Sequence, residues 1–129
     1  MYEPIRTKSI HSMADDDAYP HRSREEELDI QLAGHLSALL AVTDELGIDD
    51  AAEQIASQIT RLRGTPPVRH AGLRRGSDTP ALHRRAHDLA GRALVVAASR
   101  ADTAVAILSA ERMDAHAAAL AEPRLVGAP

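Results

Sequence analysis

No cysteine occurs anywhere in the chain, which removes disulfides, thiolate metal sites and cysteine catalysis together. Phenylalanine and tryptophan are also missing, and both tyrosines, Tyr2 and Tyr19, lie near the start. A core must therefore be built from Leu, Ile, Val and alanine. These small side chains let helices approach closely, yet each buried CH₂ contributes only about 0.8 kcal/mol. A monomer of this kind is marginally stable, which favours self-association or a partner. No apolar run reaches bilayer-spanning length, and the opening MYEPIRTKSIHSM has no apolar centre of the sort a signal peptide needs, so a cytoplasmic location is expected. There is no GxSxG elbow, phosphate-cradling glycine loop, dinucleotide fingerprint or Glu-x-x-His pattern. Neither catalysis nor a bound cofactor is expected.

What the chain does have is helical periodicity, with 44% apolar residues spread over 129 positions, enough for one modest domain. Residues 1–22 mix prolines, histidines and the acidic run Asp15-Asp16-Asp17 without an apolar period, and read as a mobile N-terminal arm. Ser23 and Glu26 then have capping-box spacing, and Glu25 to Glu27 place negative charge in a first turn. Leu28, Leu32, His35, Leu39, Val42 and Leu46 follow in steps of four and three, predicting a helix over 23–46 that stops at Gly47. Asp49 or Asp50 is expected to cap a second helix over 50–63, whose inner face is Ala52, Ile55, Ala56, Ile59 and Leu62. The link between them is so short that the two fold back as an antiparallel hairpin. Gly64 to Thr79 is dense in Gly and Pro and reads as a long loop.

The third segment, 80–121, is the longest helix candidate. Asp78, Thr79 and Pro80 are suited to its start, and Pro123 lies just beyond its end, before a frayed tail over 123–129. On a straight helix Leu82, Leu89, Val96 and Ile107 share one stripe, while Leu94, Val105 and Leu108 form a second apolar face. Arg100 falls on the first stripe and demands a carboxylate, water or a break. A continuous helix here is about 63 Å long, more than the hairpin can cover. Two outcomes are open. Either a partner covers Leu94, Val105 and Leu108, or the segment bends near Ser99-Arg100-Ala101-Asp102 and makes four helices of similar size. The fold expected is all-α, a small helical bundle over 23–122, four-helix-like and completed by a homodimer or another protein.

Charge is laid out unevenly. Twelve acidic residues between Asp15 and Glu53 face only Arg22 and Arg24, whereas Arg61 to Arg92 holds eight arginines against Asp78 and Asp88. Arg69, Arg74, Arg75, Arg84 and Arg85 are thus candidates to grip an anion or a nucleic acid. The net charge of −4 and the lack of aromatic stacking platforms weigh against nucleic acid, and nothing points to a membrane. His83 and His87, spaced i, i+4, form a weak metal-ligand pair, with Arg84 and Arg85 beside them repelling a cation. The leading functional expectation is a non-enzymatic helical interaction protein in an accessory or regulatory role. Anion or nucleic-acid binding through 61–92 comes second, and a metal-binding bundle third.

Overall fold

The computed structural model describes residues 22–72 and 76–122. The expected arm, the tail and the candidates Arg74 and Arg75 lie outside the described residues, apart from Arg22. Four helices make an all-α bundle: α1 (Arg24–Leu46), α2 (Asp49–Arg63), α3 (Thr79–Arg100) and α4 (Thr103–Ala121).

The first helix begins as its sequence dictates. Ser23 Oγ accepts from the Glu26 N–H at 3.1 Å and the Glu26 carboxylate accepts from the Ser23 N–H at 2.8 Å, so the capping box is complete. Gly47 ends the helix at φ 74°, where its N–H reaches the last carbonyls. The second helix differs from expectation, because its N-cap is Ile48 and no side chain caps it. Asp49 and Asp50 sit instead in its first turn, where their charges oppose the positive end of the helix dipole.

The segment 80–121 is two helices rather than one. Ala101 adopts the left-handed conformation at φ 59°, and Asp102 caps α4 by accepting from the Val105 N–H at 3.2 Å. Arg100 takes two of the three routes open to it, since it ends its helix and donates to the Asp29 carboxylate on α1 at 3.1 Å. Once the chain turns back, the phase assumed for a straight helix no longer holds. Val105 and Leu108 face the interior and are buried, whereas Ile107, placed on one stripe with Leu82, Leu89 and Val96, is 55% exposed.

All neighbouring pairs are antiparallel. The start of α1 lies beside the end of α2, Asp29 of α1 meets Arg100 of α3, and His83 at the start of α3 meets His116 late in α4. Helix α1 packs on both α2 and α3, and α3 packs on α1 and α4, while α2 and α4 touch only sparsely. The core runs through Leu32, Leu36, Leu39 and Leu40 of α1 and Ile55 and Ile59 of α2. Against α4 it is mostly alanine: Ala86, Ala90, Ala93 and Ala97 of α3 are buried to 1% exposure or less. Such a surface brings α3 and α4 close, with the Met113 side chain about 3.6 Å from where a Cβ on Gly91 would stand. Among the described residues no helix is long and apolar enough to cross a membrane.

Candidate functional site

Two places in this framework depart from an ordinary bundle interior or surface. The first is a groove of about 450 Å³ between α2 and α4, the pair that closes the ring only loosely. Ala104, Ile107 and Leu108 of α4 form its apolar side, and Gln54, Ser57 and Gln58 of α2 its polar side. Glu53 and Glu111 stand on its margins. Exposure of a large aliphatic residue at the centre of a concave surface differs from a lone surface leucine, because the concavity offers contact on two sides. On a separate surface, the outer face of α3 exposes Arg84, Arg85, Arg92 and Val95, with Asp88 as its acid.

The second place is inside. Ser109, Arg112 and His116, spaced i, i+3, i+7, lie on one face of α4 in phase with the core residue Val105. His116 is fully buried, and its Nδ1 lies 2.8 Å from His83 Nδ1 across the α3–α4 contact. Arg112 Nη2 lies 3.4 Å from His116 Nε2. A guanidinium can only donate, so the His116 Nε2 is an acceptor and its proton sits on Nδ1, which donates to His83. That assignment places the His83 proton on its Nε2. Both rings are neutral, and a proton on either would face the arginine.

The electrostatics agree. Burial, then the Arg112 charge, then His83 and His87, push the His116 imidazole down to about 4. His83 is lowered by its burial and by Arg112. Arg112 itself is held below the usual arginine range by burial, opposed only by the neighbouring Glu111. No carboxylate pairs with Arg112 among the described residues, and its Nε and the Ser109 Oγ are buried without any hydrogen-bond partner there. Buried donors without acceptors are rare, because each costs about 1–3 kcal/mol.

The residues singled out from the sequence fare unevenly. Val105 and Leu108 belong to the chain's own core and Leu94 is half-buried, so no partner is required to cover that face. The reason is the turn at Ala101, which lays α4 back against α3. Arg69 is not a free anion grip: its Nη2 and Nε hold both oxygens of the buried Asp44 at 2.7 and 3.0 Å, and its Nη1 holds Glu53 at 3.1 Å. The Arg69 hydrogen bond keeps the Asp44 carboxyl below its ordinary range despite burial, with the His70 N–H adding to it. This cluster straps the loop after α2 to the end of α1. Arg84 and Arg85 are exposed and take part in no ion pair among the described residues. His83 turns to His116 rather than to His87, and no group of three or more metal-ligating side chains converges among the described residues. His35, on the α1 stripe, is half-buried, whereas His116 is fully buried.

Sequence reading missed Ser109, Arg112 and His116. The signal was present, since all three fall in the core phase of Val105, but it emerges only when the helix is restarted at Asp102. No protein-family model, no curated protein and no solved structure matches the chain.

Proposed function

We infer that the chain is a non-enzymatic, self-associating helical interaction protein, acting in the cytoplasm in an accessory or regulatory role. The observation that supports it is the open groove between α2 and α4 with Ile107 half out of it. The occupant is the outer face of α3 from a second copy. That face carries an exposed Val95, at 66%, among Arg84, Arg85 and Arg92, and matches a groove with one apolar side and with Glu111 on its margin, Glu53 being shared with Arg69. Groove and face are different surfaces of the same chain, so the contact is heterologous and joins copies head to tail. Charge would set the orientation of approach while the buried valine and isoleucine supply the attraction.

Light scattering after size exclusion, across a range of protein concentrations, tests this. The wild type should associate with rising concentration, and Ile107→Glu and Arg92→Glu should each remain monomeric with unchanged helicity. A mixture of the two variants should form a dimer that goes no further, because one copy keeps an intact groove and the other an intact face. A wild type that stays monomeric at high concentration, or an Ile107→Glu chain that associates as the wild type does, would overturn the reading.

A further inference from the structure

We propose that the polar stripe inside α4, Ser109, Arg112 and His116 with His83 opposite, is a binding site for a small oxyanion of the carboxylate or phosphate class. Three observations converge on it. Arg112 and Ser109 present buried donors, Nε–H and Oγ–H, with no acceptor among the described residues. The imidazole acceptors of the stripe are used up by the chain from Arg112 through His116 to His83, and the Ser109 Oγ takes no hydrogen bond from Arg112 Nε. The stripe reaches the surface through Arg112 and His83, which are half-buried while Ser109 and His116 are enclosed, so an anion meets the buried Arg112 Nε and Ser109 Oγ once these two side chains swing aside.

A cation cannot serve here, because it would sit against a guanidinium. An anion supplies what is missing: it accepts from Arg112 Nε and Ser109 Oγ and compensates a charge that is otherwise partly desolvated. Rotation of His83 away from His116 would present its Nε2–H to the same ligand. A planar guanidinium edge suits a two-oxygen acceptor, which both carboxylate and phosphate provide.

Thermal unfolding of the full chain at neutral pH, with inorganic phosphate or acetate added at ionic strength matched by sodium chloride, is the test. The expected result is a rise in Tm of about 5 °C or more with one of the two anions over chloride, as mass action requires of a ligand that binds only the folded state. Whichever anion acts identifies the class. In Arg112→Met the rise should vanish, and in Ser109→Ala it should shrink at least about twofold while the protein stays folded. The ring protons of His83 should shift in the NMR spectrum on adding the same anion. Equal rises in wild type and Arg112→Met would show a general salt effect and overturn the site. No rise over chloride with either anion would also overturn it. Should Arg112→Met not fold, an undiminished rise in Ser109→Ala together with an unmoved His83 signal overturns it equally.

Discussion

The two halves of α4 treat charge in opposite ways. At its start, Asp102 accepts from the Val105 N–H and takes the Arg61 guanidinium at 2.7 Å, while the neighbouring Arg100 is held by Asp29 at 3.1 Å. Every charge there has a mate on another helix, and together they tie the α3–α4 turn to α1 and α2. Ten residues beyond Asp102, Arg112 is set among histidines with no carboxylate paired to it among the described residues. The first arrangement fixes register, because a capping carboxylate and two crosslinks admit one placement of the turn. The second contributes no such constraint and carries a desolvation cost. Removing charge should therefore weaken one half of the helix and strengthen the other.

The largest expected effect comes from acid. The folded His116 titrates at about 4, below the ordinary 6.5 of an unfolded chain, so the unfolded state takes up the proton first. Stability from keeping this ring neutral is complete above about pH 6.5 and is lost as the pH falls toward 4, up to about 3 kcal/mol at the lower end. The groups facing the ring, Arg112 on its own helix and His83 and His87 on α3, are all cationic or become so, and none relieves the loss. Urea midpoints measured down this window should fall for the wild type and fall less steeply for His116→Leu, in which the lowered His83 still contributes. Asp44, whose carboxyl is lowered, releases its stabilisation only at more acid pH, so the two losses separate along the scale. A His116→Leu chain with an undiminished slope would show that the ring is not the acid-sensitive element.

Next in size is a pair of substitutions with opposite signs. Asp102→Ala removes the α4 cap and the Arg61 crosslink at once and should cost about 1–2 kcal/mol. Arg112→Met replaces an unpaired, half-buried cation with an apolar side chain of similar length and should gain about 1 kcal/mol in the absence of added anion, the gain being limited by solvent screening at the exposed side. Denaturant titration at neutral pH measures both. Destabilisation of similar size in the two variants would erase the distinction between the halves, and would mean that Arg112 makes an interaction worth more than its burial costs.

How much of this could be read beforehand depended on whether the signal was local. Helix ends are set by a few neighbouring residues, so Ser23 with Glu26, Gly47 and Asp78 were legible as caps, and Ser99 to Asp102 as a place to break. Ile48 is the exception: two acidic residues drew attention to the first turn of α2, but the helix starts one residue earlier without a side-chain cap. Faces were a different matter. A stripe drawn through 80–121 adds a constant rotation per residue, and the left-handed Ala101 interrupts it. Everything after that point lost its phase, which is why Ile107 was grouped with Leu82, Leu89 and Val96, and Val105 and Leu108 with a separate face. Side-chain partners were illegible for a further reason: Arg69 with Asp44, and His83 with His116, are brought together by packing between distant segments, and no spacing encodes them.

The smallest expected effect concerns that same residue, and its sign is what matters. Ala101 holds φ at 59°, a region in which a Cβ crowds the following carbonyl by about 1–2 kcal/mol, whereas glycine enters it freely. Glycine also widens the unfolded ensemble, which takes back about 0.4–1 kcal/mol, so Ala101→Gly should leave a net gain of about 0.5 kcal/mol. On a continuous helix the same change would lose about 0.5–1 kcal/mol, because glycine in a helix interior is worse than alanine. The turn and the rod thus predict shifts of opposite direction for one substitution far from any site. Ala101→Val extends the test, since a β-branched side chain is strained at positive φ and should destabilise the turn well beyond its modest cost within a helix. A higher denaturation midpoint for Ala101→Gly together with a lower one for Ala101→Val is the outcome that the turn requires, and the well-paired half of α4 depends on that turn for its placement.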